Sequence, residues 1–179
     1  MSSYKIIFTG PVGAGKTTAI NTLSDIATVR TESAASDMTR ERKPETTVAM
    51  DYGRLNLAEG TAIHLYGTPG QERFDFMWDI LTEGGIGLVL LLDNMRPDPM
   101  SDLSFFLKAF QGFIEKTGLV IGITRTDLRD VPAIADYNQQ MFALGLGNVP
   151  VFAVDARERR DLSLLVETLL CVLDPMAES

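Results

Sequence analysis

Gly10-Pro11-Val12-Gly13-Ala14-Gly15-Lys16-Thr17 fits the pattern G-x-x-x-x-G-K-[ST], and its flanks fit as well. Before it stands the β-prone run Tyr4-Lys5-Ile6-Ile7-Phe8-Thr9, and from Lys16 to Leu23 the chain reads as the first turns of a helix. Strand, glycine loop and helix together turn successive backbone N–H groups inward around a polyphosphate. Glycine at 10, 13 and 15 lets the backbone come close to the ligand. The helix N-terminus adds partial positive charge. The expected phosphate-binding residues are Gly10, Val12, Gly13, Ala14, Gly15, Lys16, Thr17 and Thr18. Lys16 would span the β- and γ-phosphates, and the Thr17 hydroxyl would sit on Mg2+. The motif implies a bound nucleotide.

The chain of 179 residues, 45% apolar, is sized for one domain, 1–179. No apolar run approaches the ~20 residues that span a bilayer. Met1-Ser2-Ser3 leads straight into the first strand, so no signal peptide is expected. One cysteine, Cys171, rules out a disulfide within the chain, suits a reducing cytosol, and reads as a small apolar residue of the last helix. The net charge of -8 argues against nucleic acid or an anionic membrane as the main partner.

From Asp25 to Glu45 the apolar period disappears, and a long loop is expected. Val48, Met50 and Tyr52 alternate, and after Glu59-Gly60 come Ile63-His64-Leu65-Tyr66, which predicts an antiparallel hairpin. His64, the lone histidine, reads as structural. Phe74, Met77, Trp78 and Leu81 stand at helical spacing, and Ile86 to Leu92 is apolar throughout, as a central parallel strand requires. Ser101 reads as the N-cap of a helix whose stripe runs from Leu103 to Ile114. Gly118 to Ile123 is a further strand, Pro132 opens a helix that Gly145 ends, Val149 to Val154 is the last strand, and Leu162 to Leu173 lines a closing helix. The pattern predicts an α/β P-loop NTPase fold: a six-stranded, mainly parallel sheet with one antiparallel edge strand and helices on both faces.

In such a sheet the ligand lies beyond the carboxyl ends of the strands. Thr46-Thr47 precedes the hairpin, and a hydroxyl there could reach Mg2+. Gly70-Gln71 follows the next strand: the Gly70 N–H could meet the γ-phosphate, and Gln71 could orient a water for in-line attack. Thr124-Arg125-Thr126-Asp127 follows Ile123, where Asp127 could accept both N–H donors of a guanine edge. Asp155-Ala156-Arg157 follows Val154, where a backbone N–H could meet the guanine oxygen.

Together these residues resemble a small GTPase of the Ras superfamily over nearly the whole chain. Gly70-Gln71-Glu72-Arg73-Phe74 is identical to the second switch of Rab-type proteins, and Thr47-Val48-Ala49-Met50-Asp51-Tyr52 resembles the Rab first switch, which puts Thr47 rather than Thr46 on the metal. Thr124-Arg125-Thr126-Asp127 stands where the family has Asn-Lys-x-Asp, and Asp155-Ala156-Arg157 where it has Ser-Ala-Lys. The Thr-Pro-Gly-Gln wording resembles the bacterial, gliding-motility (MglA-like) branch, and no prenylation box or N-terminal glycine leads one to expect a lipid anchor. The resemblance implies a cytoplasmic GTP-driven switch, with GTP and GDP as ligands and Mg2+ as cofactor. Gln71 would be catalytic, Thr17 and Thr47 would hold the metal, Gly70 would join the phosphate set, and Thr124, Arg125, Asp127, Ala156 and Arg157 would bind guanine. It also implies a partner of roadblock fold acting on segments about 30–47 and 67–83.

Three departures bear on this expectation. Gly67 stands where the family places an aspartate near the metal, Thr124 removes an amide contact to the base, and Val12 crowds the hydrolytic site. Unaided hydrolysis below about one turnover per minute is therefore expected. Arg40 and Arg42 are candidates for an arginine finger in cis, or solvated charges. The cluster Phe74, Phe76, Met77 and Trp78 is either a partner surface or packing beneath the following helix. A P-loop kinase and a nucleotide-holding interaction module remain as alternative functions.

Overall fold

Residues 2–34, 47–69 and 77–173 are described by the computed structural model, with the backbone alone described for 31–34 and 47–49. Apolar runs form the centre of a seven-stranded sheet ordered β2-β3-β4-β1-β5-β6-β7. β1 (Ser3–Thr9) runs parallel to β4 (Ala62–Gly67) and to β5 (Gly87–Asp93). β6 (Leu119–Thr124) and β7 (Val151–Ala153) continue the parallel set. β3 (Thr47–Asn56) pairs antiparallel with β4 across the expected hairpin, and β2 (Val29–Ala34) pairs antiparallel with β3.

β2 is the strand beyond the six expected, so the antiparallel margin is two strands wide. Its sequence, Val29-Arg30-Thr31-Glu32-Ser33-Ala34, carries no apolar alternation. An edge strand is held by main-chain bonds to one neighbour, which leave no mark on side-chain hydrophobicity.

Helices cover both faces. α1 (Lys16–Leu23) and α6 (Arg159–Leu173) pack on Ile6, Phe8, Leu65, Val89 and Leu91 through Ile20, Leu23, Leu162, Leu165 and Leu169. The other face, with Ile7, Leu88, Leu90, Leu92 and Ile121, is covered by α2 (Trp78–Thr82), α3 (Pro99–Ala109) and α5 (Ile134–Ala143), with Phe113 and Ile114 of α4 (Gln111–Lys116) packed beside them. Each fully buried aliphatic or aromatic side chain contributes about 1.5–3 kcal/mol against exposure.

Several local expectations need correction. α3 starts at Pro99, with Asp98 as N-cap; the Asp98 carboxylate accepts from the Ser101 N–H at 3.1 Å, so Ser101 lies inside the helix. The single stripe from Leu103 to Ile114 is divided at Phe110 between α3 and α4. Cys171 is exposed, because the buried stripe of α6 is Leu162, Leu165, Val166 and Leu169. Trp78 is 4% exposed and stacks on Phe110 at 5.0 Å, so it is packing beneath α3 rather than a partner surface. Its indole N–H donates to the Pro69 carbonyl at 3.2 Å. Phe74 and Phe76 lie outside the described residues.

Gly145 closes α5 as expected, at φ 76. The Leu146 N–H reaches Met141 O at 2.8 Å and the Gly145 N–H reaches Phe142 O at 3.0 Å. His64 accepts a structural role, its Nδ1 lying 2.7 Å from the Tyr52 hydroxyl.

Candidate functional site

After Thr9 the chain leaves β1 and wraps back into α1 through Gly10 to Gly15. Gly10 has φ 147, and a Cβ there would lie 2.0 Å from the Leu91 carbonyl oxygen, so only glycine fits. Gly15, at φ 100, is the N-cap of α1, and no side chain caps the helix. Its N-terminal N–H groups therefore have no capping side chain, as at a helix end that receives an anion. Val12, at the loop's tip, is 55% exposed.

Lys16 is the buried cation of this loop. Its ammonium donates to Gly10 O at 2.6 Å and Pro11 O at 2.8 Å. Burial pulls its pKa down to about 8, opposed by the negative charge of Asp51 and reinforced by the positive charge of Arg96. A phosphate oxygen would replace these neutral carbonyls with an anionic acceptor.

Thr17 Oγ1 donates to Asp51 Oδ2 at 2.6 Å. Asp51 sits on β3 directly opposite Gly67 of β4. A Cβ at 67 would come within 3.3 Å of Asp51 Cβ and 2.9 Å of Ile20 Cδ1. The carboxylate of 51 thus occupies the space beside Thr17 that a side chain at 67 would need. Sequence reasoning missed it, having read Asp51 only as part of a strand; its signal is a glycine facing an aspartate in hairpin register. Hydroxyl and carboxylate together offer the hard oxygen donors that Mg2+ takes. Among the described residues no group of three His, Cys, Asp or Glu could hold a metal ion, so of their side chains Thr17 and Asp51 are the ones that could bind a cation here beside the ligand's phosphates. Thr47 begins β3 and its side chain is not described; Thr46, Gly70, Gln71, Arg40 and Arg42 lie outside the described residues.

Beside the phosphate loop a cavity of about 240 Å³ brings together Ala14, Gly15 and Thr18 with residues from two strand ends. Thr124, Arg125, Asp127 and Leu128 line it after β6, and Val154, Asp155, Ala156 and Arg157 after β7. All five expected base-binding residues therefore border one cavity. Thr124 is 4% exposed, and its hydroxyl donates to Ala14 O and Leu92 O, both at 3.2 Å. Arg125, in the left-handed region at φ 60, donates through Nη1 to Gly13 O at 3.0 Å and pairs with Asp93. Asp127 is exposed at the cavity's rim. Arg157 grips Asp155 through Nε at 3.0 Å and Nη2 at 2.9 Å, and these bonds hold the Asp155 carboxyl down to about 2.

Asn94 was also missed. It is fully buried after β5, and its amide donates to Arg129 O at 2.7 Å and Pro132 O at 2.9 Å. The Tyr137 hydroxyl donates to its Oδ1 at 2.6 Å. This brace holds the loop that carries Asp127. Burial, with the negative charge of Asp102 next, pushes the Tyr137 hydroxyl up to about 12. A lone asparagine after an apolar strand has no sequence signature.

Among the described residues no helix is long and apolar enough to cross a membrane. A family model for a conserved hypothetical ATP binding protein matches residues 26–176, starting beyond the phosphate loop. The uncharacterized protein MJ1339 of Methanocaldococcus jannaschii is 30% identical over 134 residues, 75% of this chain and 77% of that protein. The Ras-related protein RABA2a of Arabidopsis thaliana is 23% identical over 86% of this chain and 68% of its own length. The mutual gliding-motility protein MglA of Myxococcus xanthus is 26% identical over 83% of this chain and 78% of its own.

Proposed function

The chain belongs to the P-loop NTPase family described as conserved hypothetical ATP binding proteins, distantly related to small GTPases, and from that premise we propose that it is a guanine-nucleotide switch. It hydrolyses GTP to GDP and phosphate slowly alone and faster with a protein partner. One observation carries the reading: the Asp127 carboxylate stands at the rim of a cavity contiguous with the phosphate loop. A carboxylate there matches the paired N–H donors of guanine and opposes the bare N1 acceptor of adenine. The family description names ATP, and the base is therefore the first thing to measure.

Phosphoryl transfer needs positioning and charge stabilisation rather than covalent chemistry. Lys16 exchanges the carbonyls of Gly10 and Pro11 for the β- and γ-phosphates. Thr17 and Asp51, with Thr47, are the residues that would hold Mg2+. Held by these residues, Mg2+ would supply positive charge against the phosphates. Gly70 contributes an N–H to the γ-phosphate, and Gln71 orients the attacking water. The missing cation comes from Arg40 or Arg42, or from the partner. From the similarity to MglA we propose a partner of roadblock fold that acts on the switch segments.

Titration of the purified protein with fluorescent GDP, a GTP analogue and ATP, with and without Mg2+, tests this. Tight guanine binding with adenine at least about ten-fold weaker is expected, a margin worth about 1.4 kcal/mol. Equal binding of ATP would overturn the guanine reading and bring a general NTPase or kinase forward.

A further inference from the structure

β5 ends at Asp93 and Asn94 follows it; both are buried, and each serves a different loop. Asn94 braces the loop that carries Asp127. Asp93, 6% exposed, accepts the Met95 N–H on Oδ1 at 2.8 Å and pairs through Oδ2 with Arg125 Nη1. The same Nη1 donates to Gly13 O at 3.0 Å. One amino group with two hydrogens therefore joins a carboxylate of β5 to a carbonyl of the phosphate loop.

The carbonyl so held decides where an N–H points. A trans peptide sets its C=O and its N–H on opposite sides. With the Gly13 carbonyl on Arg125, the Ala14 N–H is turned the other way and donates to Pro11 O at 3.2 Å. Pro11 O also accepts from the Lys16 ammonium at 2.8 Å. A phosphate oxygen that drew Lys16 from this carbonyl would meet the Ala14 N–H at the same place. Gly13, at φ 82, has no neighbour within 4 Å of its Cβ position, so packing does not fix its peptide. The next carbonyl, Ala14 O, rests on the Thr124 hydroxyl. The Gly13–Ala14 peptide is thus the one that depends on the ion pair. Arg125 itself sits in the left-handed region at φ 60, which residues other than glycine keep only where their surroundings hold them.

We infer that Asp93 is a positioning residue for the phosphate end of the ligand: acting through Arg125, it fixes the Gly13–Ala14 peptide of the phosphate loop. This rests on the nucleotide reading above, though not on the choice of base. Asp93 and Asn94 then divide the site between them, the first supporting phosphate binding and the second the loop that reads the base.

The test is competition of GDP and ADP against fluorescent GDP on the full chain, for the wild type, Asp93→Asn, Arg125→Gln and the double variant. Asparagine keeps the size of the side chain and an oxygen for the Met95 N–H, and removes the charge. Asp93→Asn is expected to weaken GDP and ADP alike, by about ten-fold, as the loss of one charge-assisted hydrogen bond gives. The ratio of ADP to GDP should stay within two-fold of the wild type. Because Asp93 acts through Arg125, adding Asp93→Asn to Arg125→Gln should weaken GDP less than about two-fold further. A folded Asp93→Asn protein with unchanged affinity overturns the inference. So does a shift in the ADP to GDP ratio, or a double variant whose losses multiply. If Asp93→Asn does not fold, Arg125→Gln decides: an equal loss for both nucleotides supports the inference, and no loss or a changed ratio overturns it. A wild type that bound neither nucleotide would sink the nucleotide reading and this inference with it. ADP binding equal to GDP would sink the guanine reading alone and leave the comparison of variants intact.

Discussion

Asp51 and Gly67 face each other across the β3–β4 ladder, and only one of the two positions has room for a side chain. Gly67→Asp alone places a second carboxylate against the first and drives its Cβ to 2.9 Å from Ile20 Cδ1. Overpacking of that kind costs about 1–3 kcal/mol. Urea denaturation is expected to show that loss. Asp51→Gly should leave the fold nearly intact, yet weaken the expected Mg2+ dependence of nucleotide binding, since Thr17 loses its carboxylate partner. The exchanged pair, Gly67→Asp with Asp51→Gly, is expected to recover both stability and the Mg2+ effect. Recovery of neither would mean that the two positions do not share one role. The coupling is read as the difference between the double variant and the sum of the singles.

At the scale of elements, the loop between β6 and α5 is positioned by Asn94 and Tyr137 rather than by its own bonds alone. Asn94→Ala removes the donor to the Arg129 and Pro132 carbonyls and leaves the buried Tyr137 hydroxyl without its acceptor, and is expected to cost about 2–3 kcal/mol, with weakened discrimination between bases. Tyr137→Phe keeps the ring in place and removes one hydroxyl, so about 1 kcal/mol is expected. Its pH dependence is distinctive. The folded hydroxyl titrates near 12 against a usual 10, so its contribution is complete below pH 10 and lost as pH rises towards 12. Stability of the wild type should fall more steeply across that window than stability of the Phe variant; parallel curves would contradict the assignment. The parts of this architecture that were legible in the sequence are those fixed by near neighbours. The phosphate loop, the apolar central strands and the stripes of α5 and α6 all follow from local spacing. β2 was illegible because Val29 to Ala34 carries no apolar alternation. Asp98 lost to Ser101 as the expected cap because both residue types cap well, though Pro99 immediately after Asp98 was the better signal. Asp51 and Asn94 were illegible for another reason: their partners are set by sheet register and tertiary packing, which no spacing along the chain encodes.

The whole molecule is a sheet with a separate apolar cluster on each face, and the candidate site lies across its carboxyl ends. Residues from β1, β3, β6 and β7 meet there, tied by Thr124 to Ala14, Arg125 to Gly13, Thr17 to Asp51 and Thr22 to Ala156. A ligand bound across these ties opposes unfolding of the entire domain. At a hundred times its dissociation constant it adds about 2.7 kcal/mol. For a chain this size that is a rise in Tm of about 5–10 °C, in a single calorimetric transition. A cognate nucleotide that left Tm unmoved, or split the transition in two, would show that the site is not shared across the sheet. One feature of the interior makes such events visible without a label. Trp78 is the sole tryptophan, buried among Phe105, Phe106 and Phe110, with its indole N–H on the carbonyl just before Gly70. The chain therefore carries its own optical reporter: the colour and lifetime of ultraviolet emission come from one chromophore, wired by one hydrogen bond to the strand end where the phosphate signal would arrive.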